Sequence, residues 1–228
     1  MARKGLWKIK AQERKPLRDM VYERLKKRIQ RGEFHANERL IEQKLALDLG
    51  VSRTPIREAI SRLEYDGLVD KIPHGGAKVK GATKEEIKEI FGIRAVIESY
   101  AAALATERID EEVLRRLHTI INKSEKALRQ NNINRFIQLN SDFHEIIYRE
   151  CRSEKLYHMI YDLRDYIFKY RVLILRIKEM PKISLHDHKL MVQAMEEKDV
   201  QKVEQLVKEH ILRGKENLLR AIEKGELQ

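Results

Sequence analysis

The chain has 228 residues, of which 42% are hydrophobic, so it can form one large or two small domains with a buried core. It carries 47 Lys and Arg against 36 Asp and Glu, a formal net charge of +11. No run of about 18 apolar residues is present, which argues against a transmembrane helix. The single cysteine, Cys151, excludes an internal disulfide and a cysteine-based zinc finger. Because residues 1–15 lack the apolar stretch of a secretory signal, we expect a cytoplasmic protein.

The positive charge is concentrated in the first third of the chain. Residues 1–80 hold 20 Lys and Arg against 11 Asp and Glu, a balance of +9, whereas residues 81–228 hold 27 against 25, a balance of +2. A locally basic segment is typical of proteins that bind an anionic polymer, with nucleic acid first and a membrane surface second. A solvated basic face is the alternative, and composition favours neither of the two.

The first third has the pattern of a winged helix-turn-helix domain, with residues 1–15 as a flexible basic arm ahead of it. Apolar spacing predicts helices over residues 17–31 and 41–49, and Gly50 breaks the second of these. A third helix follows, capped by Ser52 or Thr54. Two short alternating runs within residues 68–80 predict a β-hairpin. Helix, glycine turn, helix and hairpin in this order predict a DNA-binding domain over residues 1–80.

The rest of the chain, residues 81–228, is predicted to be an all-helical bundle, so the fold class is mainly α. Thr83 and Glu86 form a capping box at the first helix of this bundle. Asp110 and Ser184 are each expected to begin a helix, and Pro181 is expected to separate two helices. Six helices are predicted, over residues 84–107, 110–130, 133–149, 154–179, 184–197 and 199–223.

The start of the third helix has the side chains that a DNA-reading helix needs. Arg53 and Arg57 are four residues apart and share one exposed face, and the arginine fork matches guanine O6 and N7 or a phosphate. Ser52 and Thr54 supply hydroxyl groups that donate to phosphate. His74 lies at the small hairpin tip, which suits a minor groove or a phosphate. Two arginines on one helix are often only a solvated face. Here the glycine turn, the N-cap residue, Pro55 in the first helical turn and the hairpin occur together, which favours DNA binding.

The stretch "ANERLIEQKLALDLGVSRTPIREAISRLEYDGLV" resembles the N-terminal domain of the GntR family of bacterial transcription regulators. The resemblance covers residues 16–80. It implies that operator DNA is contacted by Arg53, Thr54, Arg57, His74 and Gly75. The chain has Gln43 at a position where many members of the family carry arginine.

Three histidines are expected to face inward from three different helices of the bundle: His144, His188 and His210. Asn140 lies one turn before His144 on the same apolar face. A single inward histidine is usually a hydrogen-bonded core residue. Three of them together favour a metal site, because neutral imidazole binds transition metals and bundles build such sites from facing helices. Three histidine ligands that leave coordination positions of the metal open suit Zn²⁺ or Ni²⁺.

The helical part is similar to the FCD-type ligand-binding domain of the FadR branch of GntR regulators. The similarity lies in Asn140 followed by Phe143-His144, in Asp187-His188, and in His210 eleven residues after an aspartate. It implies that His144, His188, His210 and more weakly Asn140 bind a divalent metal that helps to hold a small carboxylate effector. Asn140 stands where the family usually has aspartate.

Arg94 is predicted to lie on the inward face of its helix, where an arginine needs a partner. It either pairs with an internal glutamate or, as the resemblance implies, grips the carboxylate of the effector through two hydrogen bonds. Arg171 is a second candidate for the effector. His118 is expected to face inward as part of the core or of a pocket wall.

These patterns predict a transcription regulator, and we expect a repressor, that binds a palindromic double-stranded operator as a homodimer. The helical domain over residues 81–228 is expected to bind the effector and to dimerise. A metal-dependent hydrolase with a three-histidine site is one alternative, although the chain has no HExxH motif. An effector-free DNA-binding protein is the other.

Overall fold

The computed structural model describes residues 16–226, except for residues 31, 35, 74, 75 and 82. The chain divides into two compact units, Met1–Gly81 and Ala82–Gln228. The described residues form ten helices and three short strands, which confirms the mainly α fold with a winged helix-turn-helix. The basic arm expected over residues 1–15 lies outside the described residues, and so do His74 and Gly75. No helix in the described part of the chain is long and apolar enough to cross a membrane.

The first unit is a winged helix-turn-helix. Its elements are α1 (Leu17–Gln30), β1 (Arg39–Leu40), α2 (Glu42–Leu49), α3 (Arg53–Tyr65), β2 (Val69–Lys71) and β3 (Ala77–Val79). Leu25 of α1 packs with Ile56, Ile60 and Leu63 of α3 in one buried cluster. Those three residues recur at helical spacing, so burying them fixes which face of α3 is left exposed.

The wing has three strands rather than the two of the predicted hairpin. The strand order is β1-β3-β2, with both pairs antiparallel, and Leu40 of β1 lies opposite Ala77 of β3. β1 is only two residues long, too short for alternating polarity to reveal it in the sequence. Gly50 and Gly67 end α2 and α3 with positive φ angles of 66° and 73°, which suits glycine because it has no Cβ.

The described residues of the second unit form a bundle of seven helices. They are α4 (Lys84–Arg108), α5 (Glu111–Arg129), α6 (Ile133–Glu150), α7 (Glu154–Asp162), α8 (Arg164–Arg176), α9 (Met180–Glu196) and α10 (Val200–Glu223). The capping box predicted from Thr83 and Glu86 is present at α4. Asp110 caps α5 by accepting a hydrogen bond from the backbone N–H of Val113, as its position predicts.

Two predicted helix boundaries are wrong. The single helix expected over residues 154–179 is two helices, because the Leu163 N–H bonds to Ile160 three residues back and ends α7. Helix α9 begins at Met180 and not at Ser184, and Pro181 lies in its first turn instead of between helices. A proline fits there because the first N–H groups of a helix have no partner within the helix. The bundle therefore has seven helices where six were predicted.

The bundle core contains a polar patch. Phe136, Phe143 and Met191 are fully buried among aliphatic side chains of α4, α6, α9 and α10. Polar and charged side chains are buried among them, including Arg94, Glu98, Asn140, Asp187, His144 and His188. Polar groups buried at such density need partners or a ligand.

Candidate functional site

The exposed start of α3 carries two arginines on one face. The side chains of Arg53 and Arg57 are 52% and 60% exposed, and Thr54 beside them is exposed as well. Ser52 occupies the N-cap position, but its side chain makes no capping hydrogen bond. The predicted N-cap position of Ser52 is therefore correct, but the capping hydrogen bond expected from its side chain is not formed.

Both arginines are bound to a glutamate that the sequence analysis missed. Glu42, the first residue of α2, is 7% exposed, and its Oε2 accepts hydrogen bonds from Arg53 Nη2 at 2.9 Å and from Arg57 Nε at 2.7 Å. Burial raises the pKa of Glu42, but the bonds and charges of the two arginines outweigh it and lower the pKa overall. An acid at the start of a helix is expected from the helix dipole alone, so the sequence held no separate sign of this contact.

The wing adds like charges that face each other. Arg39 of β1 lies directly opposite Lys78 of β3, and both residues are exposed. Asp70 of β2 lies opposite Lys78 on its other side, so an opposite charge within the sheet offsets the repulsion of this pair.

In the bundle, the three predicted histidines converge. The ligand atoms of His144, His188 and His210 all lie within 4.8 Å of one another. Their ring centroids are 5.0 to 5.5 Å apart, and the ring of Phe143 stacks on His188 at 3.9 Å. His144 and His188 are each 3% exposed, and the His210 side chain is 15% exposed. Helices α6, α9 and α10 each supply one ring.

Burial keeps two of these rings neutral. It lowers the pKa of His144 well below its ordinary value, and the positive charge of Arg171 lowers it further. Burial also lowers the pKa of His188, with His210 and Arg171 as further causes. The Nε2 atom of His188 is buried and has no hydrogen-bond partner among the described residues. A neutral ring with an unpartnered buried nitrogen has a lone pair available for a cation.

A carboxylate orients the third histidine. Nδ1 of His210 donates a hydrogen bond to Oδ2 of Asp187 at 2.9 Å, and Arg213 donates to Oδ1 at 2.6 Å. Burial raises the pKa of Asp187, but the hydrogen bonds and charges of His210 and Arg213 bring it below its ordinary value. With Nδ1 engaged, His210 has Nε2 left as its acceptor, the arrangement found in carboxylate–histidine–metal triads.

Asn140 and Ser184 form a buried neutral pair beside the histidines. The Nδ2 of Asn140 donates to the Ser184 hydroxyl at 2.8 Å, and both residues are 2% exposed. Ser184 reaches this position because α9 already begins at Met180. The side-chain oxygen of Asn140 is the amide atom not used by Ser184.

Arg94 has the internal partner that the sequence left open as one alternative. Its Nε donates to Glu98 at 2.7 Å, one turn along α4, and the two side chains are 5% and 0% exposed. The hydroxyl of Tyr148 donates to the second oxygen of Glu98. Burial raises the pKa of Tyr148 well above its ordinary value, and the charge of Glu98 raises it further. The (i, i+4) spacing of Arg94 and Glu98 is the signal that identifies this pair in the sequence.

A small cavity joins these groups. Its volume is about 30 Å³, and its wall includes the polar side chains Arg94, Asn140, His144, Arg171, Ser184 and His210. Nη2 of Arg171 is buried and has no hydrogen-bond partner within the described part of the chain. His188 lies beside the cavity, against His144 and His210. The cavity thus combines imidazole nitrogens with an arginine donor that is free to bind an anion.

His118 is not part of this site. It is exposed, and its Nε2 lies 2.6 Å from Glu196 on the surface. The prediction that it faces inward is wrong, because α5 turns a neighbouring face, that of Leu117 and Ile121, toward the core.

A winged helix-turn-helix with exposed arginines on α3, followed by a separate helical unit, is the organisation of a DNA-binding transcription regulator. The family comparisons agree with this class. Residues 17–79 match the bacterial regulatory proteins of the gntR family, and residues 89–213 match the FCD domain.

Similar proteins are known from several bacteria. The uncharacterised HTH-type transcriptional regulator YdhC of Bacillus subtilis is 31% identical over 206 residues, covering 90% of this chain and 92% of YdhC. The gluconate operon transcriptional repressor of Bacillus licheniformis is 27% identical over 180 residues, covering 77% of this chain and 74% of the repressor. The solved structure of E. coli McbR/YncC matches with a TM-score of 0.68 at 25% identity, covering 91% of this chain and 99% of that one.

The chain therefore belongs to the GntR family of bacterial transcription regulators and carries an FCD domain in its second unit. Members of this family bind DNA and are not enzymes. The metal-dependent hydrolase considered from the sequence is thereby set aside.

Proposed function

We propose that the chain is a sequence-specific repressor that inserts α3 into the major groove of a palindromic operator. The observation that carries this proposal is the pair of exposed arginines on one face at the start of α3. A recognition helix contacts base edges with side chains near its N-terminus, and arginine can bind guanine through two hydrogen bonds. Exposed Ser52 and Thr54 flank Arg53 and supply phosphate contacts. Repression is the mode we infer, because a relative that covers most of the chain is a transcriptional repressor.

The test is operator binding by Arg57→Ala. Arg62→Ala is the matched control, because Arg62 lies on α3 but binds Asp19 and packs over the ring of Tyr22. An operator is first selected from a random duplex pool with the wild-type chain. Loss of one bidentate contact is expected to weaken binding by about tenfold or more, with a smaller effect of Arg62→Ala. Equal effects of the two substitutions would exclude α3 as the reading helix.

The three histidines are proposed to hold a divalent transition metal. The support is the buried, unpartnered Nε2 of His188 together with two histidines that burial keeps neutral. Three imidazole nitrogens suit Zn²⁺ or Ni²⁺. The Nε2 of His210 is aimed by Asp187, and the side-chain oxygen of Asn140 is a weak fourth donor. When bound, such an ion supplies a Lewis-acid position that takes an anionic oxygen.

The effector is proposed to be a small carboxylate bound in the cavity. Arg171 is the residue with a free buried donor there, and Arg94 forms the other positive wall while held by Glu98. Calorimetric titration with formate and acetate, which are small enough for the cavity, tests this proposal on the metal-loaded chain. Binding that Arg171→Ala weakens by about tenfold supports it, whereas binding of both acids that is unchanged in Arg171→Ala, or no binding of either acid, contradicts it.

We further propose that the chain is a cytoplasmic homodimer, since a palindromic operator requires two copies. Helix α4 carries Ile93, Val96 and Tyr100 at helical spacing, exposed by 44%, 63% and 55%. Exposed apolar side chains in a stripe mark a contact surface. Sedimentation is expected to show a dimer that Val96→Glu dissociates, and Asn122→Glu on the exposed face of α5 serves as control. A monomeric wild-type chain would refute the proposal.

A further inference from the structure

Glu42 and the two arginines of α3 differ sharply in exposure. The Glu42 side chain is 9% exposed, whereas those of Arg53 and Arg57 are 52% and 60% exposed. One carboxylate oxygen, Oε2, accepts both hydrogen bonds. The acid is therefore packed at the start of α2, while the two cations at the start of α3 are exposed to solvent.

Glu42 is expected to stay hydrogen-bonded to one of its two arginines when DNA binds. A buried carboxylate that loses both cationic partners is left uncompensated, which is much costlier than loss of a surface pair. Phosphate and guanine both compete for the arginine donors. The lowest-cost complex is one in which an arginine contacts DNA and Glu42 at the same time.

The hydrogen-bonding atoms differ between the two arginines. Arg57 is bound to Glu42 through Nε, which leaves the two terminal nitrogens of its guanidinium group for another partner. Arg53 is bound through the terminal Nη2, so one of the two nitrogens of its end-on fork is already engaged with Glu42. A bidentate contact with guanine O6 and N7 needs two N–H groups in one plane. Arg57 keeps both terminal nitrogens uncommitted while it stays bound to Glu42, whereas Arg53 does not.

We propose that Glu42 is a positioning residue for sequence recognition. It stays bound to Nε of Arg57, so that the terminal nitrogens of Arg57 contact a guanine, while Arg53 leaves Glu42 and binds a phosphate. This inference rests on the proposed insertion of α3 into the major groove. Glu42 itself touches no DNA in this arrangement. Its effect is on discrimination between sequences, because loss of its negative charge does not weaken the general attraction to phosphate.

The experiment compares Glu42→Gln with Glu58→Gln, which removes the same charge from α3 at a residue that pairs with Arg18. Dissociation constants are measured for the selected operator and for an unrelated duplex at several salt concentrations. Glu42→Gln is expected to lower the ratio of operator to unrelated binding by about tenfold, the weight of one bidentate contact. Glu58→Gln is expected to leave the ratio within about twofold, as for a surface pair.

Replacing each operator guanine in turn by 7-deazaguanine locates the contact. At one position the wild-type chain is expected to lose affinity while Glu42→Gln and Arg57→Ala do not. Arg57→Lys, which keeps the charge but lacks Nε and the fork, is expected to lose the same discrimination. Arg57→Lys serves as the second variant if circular dichroism shows that Glu42→Gln does not fold.

Two results overturn the inference alone, and a third overturns it together with the proposed function. Unchanged discrimination in Glu42→Gln, with discrimination lost in Arg57→Ala, shows that Arg57 reads DNA without Glu42. Unchanged discrimination in Arg57→Lys contradicts the role of the fork. If Arg57→Ala binds the operator like the wild-type chain, the proposed role of α3 fails, and the inference fails with it.

Discussion

The ion pair at the start of α3 and the pair of Arg94 and Glu98 differ in whether the cation is exposed or buried. In the DNA-binding unit the acid Glu42 is buried and its arginines are exposed. In the helical unit the cation Arg94 is buried together with Glu98, beside two neutral histidines. Exposed cations can bind a large anionic polymer, but salt screens their charge. Buried groups are shielded from salt and water, and they are suited to a small ligand that replaces the lost solvation.

The largest effect expected from this contrast is on stability. Glu98→Gln leaves Arg94 buried without its counter-ion and is expected to lower the free energy of unfolding of the helical unit by about 3–5 kcal/mol. Glu111→Gln is the control, because Glu111 pairs with Arg115 at 3.4 Å while its side chain is 91% exposed, and a change of about 0–1 kcal/mol is expected. Denaturant titration followed by circular dichroism measures both. Similar destabilisation by the two changes would remove the distinction between buried and exposed pairs.

The next effect concerns the residue that orients His210. Asp187→Asn keeps the shape of the side chain but not its charge, and it is expected to weaken Zn²⁺ binding by about 10–100-fold. Competition with a chromophoric chelator measures the affinity. Asp142→Asn on α6 is the control, since Asp142 bonds Gln138 and not a histidine. Equal Zn²⁺ affinity of Asp187→Asn and the wild-type chain would show that His210 needs no orienting carboxylate.

The smallest effect expected is a pH dependence in the DNA-binding unit. The pKa of Glu42 is lower in the folded chain than its ordinary value, so its ion pairs stabilise the fold above about pH 4.3, the ordinary glutamate pKa. This contribution is lost as the pH falls through the lower, folded value. Glu42→Gln is therefore expected to be less stable than the wild-type chain by about 1–2 kcal/mol at pH 7.

The stability difference between Glu42→Gln and the wild-type chain is expected to shrink as the pH approaches 3. Urea unfolding at pH 7, 5 and 3 measures this change. A difference that is constant with pH would mean that the Glu42 carboxylate is not stabilised by its arginines.

Except at His118, helical periodicity predicted which of the singled-out side chains face inward, but it did not predict which residues they contact there. The inward faces of α6, α9 and α10 correctly placed His144, His188 and His210, since each histidine lies three or four residues from buried apolar neighbours. Their convergence depends on how three helices pack, which spacing within one helix does not contain. For the same reason the sequence left open whether Arg94 has an internal partner.

Other features were missed because they depend on contacts between distant residues or on very short elements. Glu42 meets Arg57 across the turn between α2 and α3, and nothing in its own neighbourhood distinguishes it from an ordinary first-turn acid. The two residues of β1 carry no alternation. The break at Leu163 follows from a local three-residue hydrogen bond inside an otherwise continuous helical pattern.

The proposed metal centre of His144, His188 and His210 is tested by elemental analysis and Zn²⁺ titration of two variants. His188→Ala removes the unpartnered buried nitrogen, whereas His186→Ala changes an exposed histidine two residues earlier on the same helix. We predict one ion per chain in the wild-type protein and in His186→Ala, and affinity reduced by more than 100-fold in His188→Ala. Equal metal content and affinity in the two variants would refute the proposed metal centre.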